Sequence, residues 1–114
     1  MCRQKAKLTS DDGVDSDNFG FSISMSGNTV LVGANSHTPP LTGVANAGAA
    51  YVYRQTKGQW TQIAELAASD AISGGDFGTS VAVQGNTLLV GADTQHPQVE
   101  GYPGGEAYIF DLNH

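Results

Sequence analysis

Residues 19–34 read FGFSISMSGNTVLVGA and residues 77–92 read FGTSVAVQGNTLLVGA, ten identities in sixteen positions without a gap. The changes are mild, such as Ile23 against Val81 and Val30 against Leu88. The correspondence extends upstream, where Ala6-Lys7-Leu8 aligns with Ala64-Glu65-Leu66, and downstream, where Ala50-Tyr51-Val52-Tyr53 aligns with Ala107-Tyr108-Ile109-Phe110 after one deletion. A fixed period is the strongest constraint a short chain can carry: each copy must fold as one unit, and the units must stack to bury their faces.

Each unit carries four strand signals. Phe21–Met25 alternates apolar and small polar residues, which places Phe21, Ile23 and Met25 on one face. Gly27-Asn28 and Gly85-Asn86 then separate two apolar runs, the pattern of a tight hairpin. Thr29–Ala34 is continuously apolar, as a strand covered on both faces would be, and Gly33 and Gly91 mark points of close backbone approach. A long polar loop leads to Ala49–Arg54, a turn at Lys57-Gly58, and a more polar strand, Trp60–Leu66. No stretch keeps helical periodicity beyond a turn.

Polarity that rises over four antiparallel strands fits an all-β β-propeller blade, with inner strands sandwiched between neighbours and the outermost facing water. A β-sandwich is the competing arrangement. On this frame residues 1–8 are the outer strand of a preceding or swapped blade, 9–66 a first blade, and 67–114 a second blade lacking its fourth strand.

The paired Phe19-Gly20 and Phe77-Gly78, each followed after a hairpin by Gly33-Ala34 or Gly91-Ala92, resemble FG-GAP repeats, the blades of integrin α-subunit propellers and of many bacterial surface proteins. The segments Leu8–Asp17 and Leu66–Asp76 are similar to the bacterial form, in which a Leu-x-x-Ser-Asp stretch precedes Phe-Gly. The resemblance implies a seven-bladed propeller in an extracellular or cell-surface setting, with adhesion or ligand binding in place of catalysis. Two departures limit it. Asn35 and Asp93 stand where the family's proline would be. The hairpin that holds Ca²⁺ in integrin blades is reduced here to Ser26–Thr29 and Gln84–Thr87, which carry no carboxylate and cannot supply the six to eight oxygens Ca²⁺ takes.

Composition removes other classes. Five Lys and Arg against eleven Asp and Glu give a net charge of −6, the wrong sign for a nucleic-acid partner. No apolar run reaches the roughly 20 residues of a membrane-spanning helix, and MCRQKAKL lacks the apolar stretch of a signal peptide. Cys2 stands alone and forms no internal disulfide. There is no Gly-x-Ser-x-Gly elbow, since Gly20-Phe21-Ser22-Ile23-Ser24 misses its last glycine, and Ser22 has a counterpart in Ser80. No phosphate-cradling loop is present either. An enzyme is not expected, and no cofactor is required.

Candidate sites sit in the loops. Asp11, Asp12, Asp15 and Asp17 have spacing that invites Ca²⁺ but lack the closing bidentate Glu of an EF-hand, so solvated Asx turns compete with a weak metal site. His37, His96 and His114 show no shared metal spacing and read as surface-loop residues. An up-and-down blade gathers its long connections, 35–48, 93–105 and the acidic 9–18 and 67–76, at one end. His37, Pro39, His96, Glu100 and Tyr102 on those loops are the expected contacts to a protein or glycan ligand. Tolerated insertions would look the same.

The chain starts at a fourth strand and stops after a third, which makes two blades in circular offset. Two blades do not close a ring, since propellers use about four to eight. Either the chain is a piece of a longer repeat protein, which the open edges and missing signal peptide fit, or copies assemble head to tail, three of them giving six blades. The functional classes left open are an extracellular recognition module and a purely structural propeller repeat belonging to a larger surface protein or secreted enzyme.

Overall fold

The computed structural model describes residues 2–13, 17–40, 42–93 and 105–112. Seven strands form two antiparallel sheets. The first contains β1 (Phe19–Ser26), β2 (Thr29–Ala34), β3 (Ala49–Thr56) and β4 (Gln59–Leu66) in that order, and the second contains β5 (Phe77–Gln84), β6 (Thr87–Ala92) and β7 (Glu106–Asp111). The architecture is all-β, with two blade-like sheets and no helix among the described residues. Each sheet is an up-and-down meander, and in the first sheet the β1–β2 and β3–β4 hairpins are tight. Ser26 pairs with Thr29, and Thr56 with Gln59, so both loops are two residues long. Lys57 and Gly58 both take positive φ, at 54° and 79°, the requirement of a type I′ turn.

The repeat persists in detail. In both copies the first strand is bulged, between Phe19 and Ser22 and between Phe77 and Ser80. The bulge swings each phenylalanine onto the aromatics of the third strand: Phe19 lies edge-on to Tyr51 and Tyr53 at 5.4 and 6.3 Å, and Phe77 to Tyr108 and Phe110 at 5.4 and 6.0 Å. Edge-to-face pairs at these separations are favourable beyond their buried area.

The sheets stack face to face. Leu31, Ala50 and Val52 from one side meet Phe77, Leu88 and Val90 from the other in a single core, with Val81, Val83, Tyr108 and Phe110 packed at its margin. Contact is close because side chains are missing where backbones meet. A Cβ on Gly33 would fall inside the Gly78 carbonyl oxygen, and one on Gly78 would strike the Ala49 carbonyl oxygen. The Ser22 hydroxyl donates to the Gly78 carbonyl at 2.7 Å, and the Val83 amide donates to the Ser24 hydroxyl at 3.0 Å. Ser22 is therefore a structural residue that ties one blade to the next.

In the single chain Phe21, Ile23 and Met25 are 57%, 71% and 62% exposed. These apolar residues point away from the second sheet, and no element among the described residues covers them. Residues 2–10 pair with no strand of the same chain; Leu8 packs beside Phe19, Val30 and Trp60, and the Thr9 carbonyl accepts from the Tyr53 hydroxyl at 2.8 Å.

The glycine contacts make a stability prediction. Gly33→Ala forces two backbones apart and should cost about 2–3 kcal/mol as an overpacking change. Gly91→Ala meets only the Ser80 hydroxyl of its own hairpin, which can rotate, and should stay within about 1 kcal/mol. Urea unfolding midpoints at low chain concentration check the difference.

Candidate functional site

The polar interior of this protein lies at the loop end of the first sheet. The β2–β3 connection folds back on itself, with the His37 amide donating to the Ala34 carbonyl at 3.2 Å and the Gly48 amide to the His37 carbonyl at 2.8 Å. This tucks His37 beneath the loop, only 3% exposed, with its ring 5.9 Å from that of Tyr51. Nδ1 lies 2.7 Å from Asp17 Oδ2, Nε2 lies 3.1 Å from Asp12 Oδ2, and Nε2 lies 3.4 Å from Glu65 Oε2. Tyr51, the cross-strand partner of Glu65, donates its hydroxyl to Asp12 Oδ1 at 2.7 Å. Segments far apart in sequence thus converge: the acidic stretch before β1, the β2–β3 loop, β3 and the end of β4.

Three carboxylates around one imidazole set the local electrostatics. Burial disfavours the His37 cation, but the hydrogen bond to Asp17 and the charges of Asp12 and Asp17 outweigh it, and its pKa lies above the ordinary 6.5. Glu65 is pushed up to about 7 by burial and by its closeness to Asp12. Asp12 is also penalised by burial, yet the Tyr51 and Glu65 hydrogen bonds and the His37 charge hold it below 3.8. Burial and Asp12 together raise the Tyr51 hydroxyl well above its usual range. Protons on His37 and on Glu65 are therefore both held more tightly than usual beside the Asp12 carboxylate.

The Asp12, His37 and Glu65 ligating atoms all lie within 4.8 Å of one another, close enough to share one cation. The second copy keeps only part of this design. The Tyr108 hydroxyl donates to Asp70 Oδ1 at 2.6 Å, with Glu106 Oε1 at 2.8 Å, matching Tyr51 and Asp12 by repeat position. The three-stranded second sheet has no described strand where Glu65 would stand.

Several sequence expectations change here. His37 is not a surface-loop histidine, because the loop closes over it; Pro39 is fully buried as well, so neither can be displayed to a ligand. Asp12 and Asp17 flank the two ring nitrogens of His37 and do not converge on one oxygen cage, which removes them as joint members of a Ca²⁺ loop. Asp11 is exposed. Asp15, His96, Glu100, Tyr102 and His114 lie outside the described residues. Glu65 and Tyr51 were not among the candidates. Their signals were a tyrosine kept in both copies at Tyr51 and Tyr108, and a carboxylate on an otherwise half-apolar strand.

The pKa directions fix a pH dependence. His37 and Glu65 both rise on folding, so the stability each contributes is complete below the unfolded values of 6.5 and 4.5 and is lost as pH climbs through the folded ones. Asp12 acts oppositely, and its contribution disappears only as pH falls through a value under 3.8. The melting temperature, recorded with a chelator present so that only protons compete for the cluster, should therefore fall as pH is raised from 4.5 past 7. Glu65→Gln should flatten that slope, and an unchanged slope would contradict the assignment.

Comparison with known proteins agrees with the architecture. A family model described as the FG-GAP repeat matches twice, over residues 2–53 and 60–110. No curated protein matches the chain. FG-GAP repeats are typical of extracellular proteins, and among the described residues no helix is long and apolar enough to cross a membrane. The first match takes in β1 to β3 and the second β4 to β7, and together they span nearly the whole sequence, so this chain belongs to the FG-GAP repeat family.

Proposed function

We propose that the chain is a non-catalytic β-propeller module that docks face to face into a stack of like blades and presents its long-loop end for recognition outside the cell. The observation that carries the docking half is a match between covered and uncovered faces. In the second sheet, Phe77, Val81, Val83, Leu88 and Val90 are covered by the first. Their repeat equivalents on the first sheet, Phe19, Ile23, Met25, Val30 and Val32, line an open apolar hollow of about 650 Å³. On the far side of the second sheet Leu89 and Ile109, equivalent to the buried Leu31 and Val52, are 42% and 74% exposed. A Cβ on Gly20 meets nothing within 4 Å, whereas its equivalent Gly78 is pressed against the neighbouring blade. The two open faces are thus the two halves of the interface that the blades already make with each other, and such faces associate head to tail.

The recognition half rests on loop chemistry. The 93–105 segment brings an imidazole, a carboxylate and a phenol in His96, Glu100 and Tyr102, groups suited to a protein or glycan partner. A purely structural repeat is the second reading, supported by the burial of His37 and Pro39. The double variant His96→Ala/Tyr102→Ala separates them: lost binding on a glycan array supports recognition, and an array without any binder supports the structural role.

Docking has its own test. Light scattering over a concentration range should give a molar mass above 11.8 kDa that settles at a discrete multiple. Ile23→Asp, at a position 71% exposed, should return the chain to a monomer without unfolding it. A wild-type mass that stays monomeric at all concentrations would reject self-docking through these faces.

A further inference from the structure

We propose that His37, Asp12 and Glu65 form a binding site for one zinc-type divalent transition-metal ion, with Asp17 and Tyr51 orienting the ligands. The proposal goes beyond the docking and recognition roles and does not depend on them. Its first support is geometry. Four ligands at the roughly 2.0–2.1 Å typical of Zn–N and Zn–O bonds stand about 3.3 Å apart at tetrahedral angles. The separations from His37 Nε2 are 3.1 Å to Asp12 Oδ2 and 3.4 Å to Glu65 Oε2. A single ion can touch all three atoms with only small side-chain adjustments, and Asp12, 27% exposed, leaves the rim open to a solvent ligand.

A second, independent support is the surrounding hydrogen-bond pattern. Ligating histidines almost always donate their other ring N–H to a carboxylate or carbonyl, which fixes the tautomer and aims the free nitrogen at the metal. The contact of His37 Nδ1 with the buried Asp17 carboxylate at 2.7 Å supplies that arrangement. The Tyr51 hydroxyl occupies Asp12 Oδ1 and leaves Oδ2 turned toward His37. Glu65 Oε2 is buried and accepts no hydrogen bond, although it faces the same nitrogen. A buried carboxylate oxygen left without a donor is costly unless a cation answers it. One imidazole with two carboxylates suits Zn²⁺ better than Ca²⁺, which needs more oxygens than these residues provide.

The site belongs to one blade. Asp70 and Tyr108 repeat Asp12 and Tyr51 in the second sheet, yet Glu65 aligns there with Lys7 of a completing strand, an ammonium where the first blade has a carboxylate. One tight ion per chain is therefore expected.

The test begins with the 114-residue chain stripped by chelator and dialysed, titrated with Zn²⁺ by calorimetry and with Co²⁺ by visible absorption. We expect one saturable Zn²⁺ per chain, intense Co²⁺ bands of four-coordinate geometry, and a melting temperature several degrees higher at Zn²⁺ well above Kd. Glu65→Gln keeps the shape of the side chain and should weaken Zn²⁺ at least about tenfold, the scale seen when a metal's supporting contacts are lost. Cys2→Ser, at an exposed position, should leave the tight site intact. Absence of stoichiometric Zn²⁺ binding, or binding that Glu65→Gln leaves unchanged, would overturn the proposal. Should His37→Gln fail to fold, the Glu65→Gln result and the Co²⁺ spectrum still decide it.

Discussion

The close approach of two backbones at Gly33 and Gly78 is the constraint on which the rest depends. Where the bulged first strand of one blade lies on the second strand of the next, there is no room for a Cβ on either side. That contact sets the spacing between sheets, and the spacing lets Leu31 and Val52 reach Leu88 and Val90 in a common core. It also explains the motif. Phe turns inward to anchor on the third-strand aromatics, the following Gly takes a positive φ of 90° or 97°, and the Gly-Ala at the end of the second strand receives the neighbour. A residue with a side chain at either glycine would hold the sheets apart and open the core to water.

The same interface leaves one face of each sheet uncovered among the described residues. Each blade has one face that is a socket for its predecessor and one that fits its successor, and two blades satisfy one socket and one fit. The surplus appears as exposed Ile23, Met25, Leu89 and Ile109. Large apolar residues in contiguous exposed patches suit interfaces, and the proposed docking would cover them with the same contacts that the two sheets make with each other.

The polar cluster solves a different problem at the loop end. Burying His37 lets the β2–β3 loop close compactly on the sheet, but a buried imidazole needs partners. Asp17 and Asp12 provide them, and Glu65 crowds in from β4 because it faces Tyr51 across the ladder. Negative charge is then concentrated in a small volume. A proton on the imidazole offsets it at low pH, and a metal ion would offset it more completely.

The sequence by itself determined the repeat, the strand positions and the hairpins. Those features are local: alternation, a two-residue turn and a missing Cβ act between neighbours in the chain and can be read from a window of sixteen residues. The burial of the 29–34 run follows from the same short-range pattern. Only the tertiary structure decided the rest. His37 looks like any loop histidine in sequence, and its burial comes from a backbone that turns back at Ala34 and Gly48. Asp12, His37 and Glu65 are separated by long stretches that the blade meander alone brings together, and no spacing rule for a single strand or helix could have joined them. Exposure of the first strand was likewise undecidable locally, because the apolar face of Ile23 and Met25 is an inner surface or an outer one according to whether another blade stands against it.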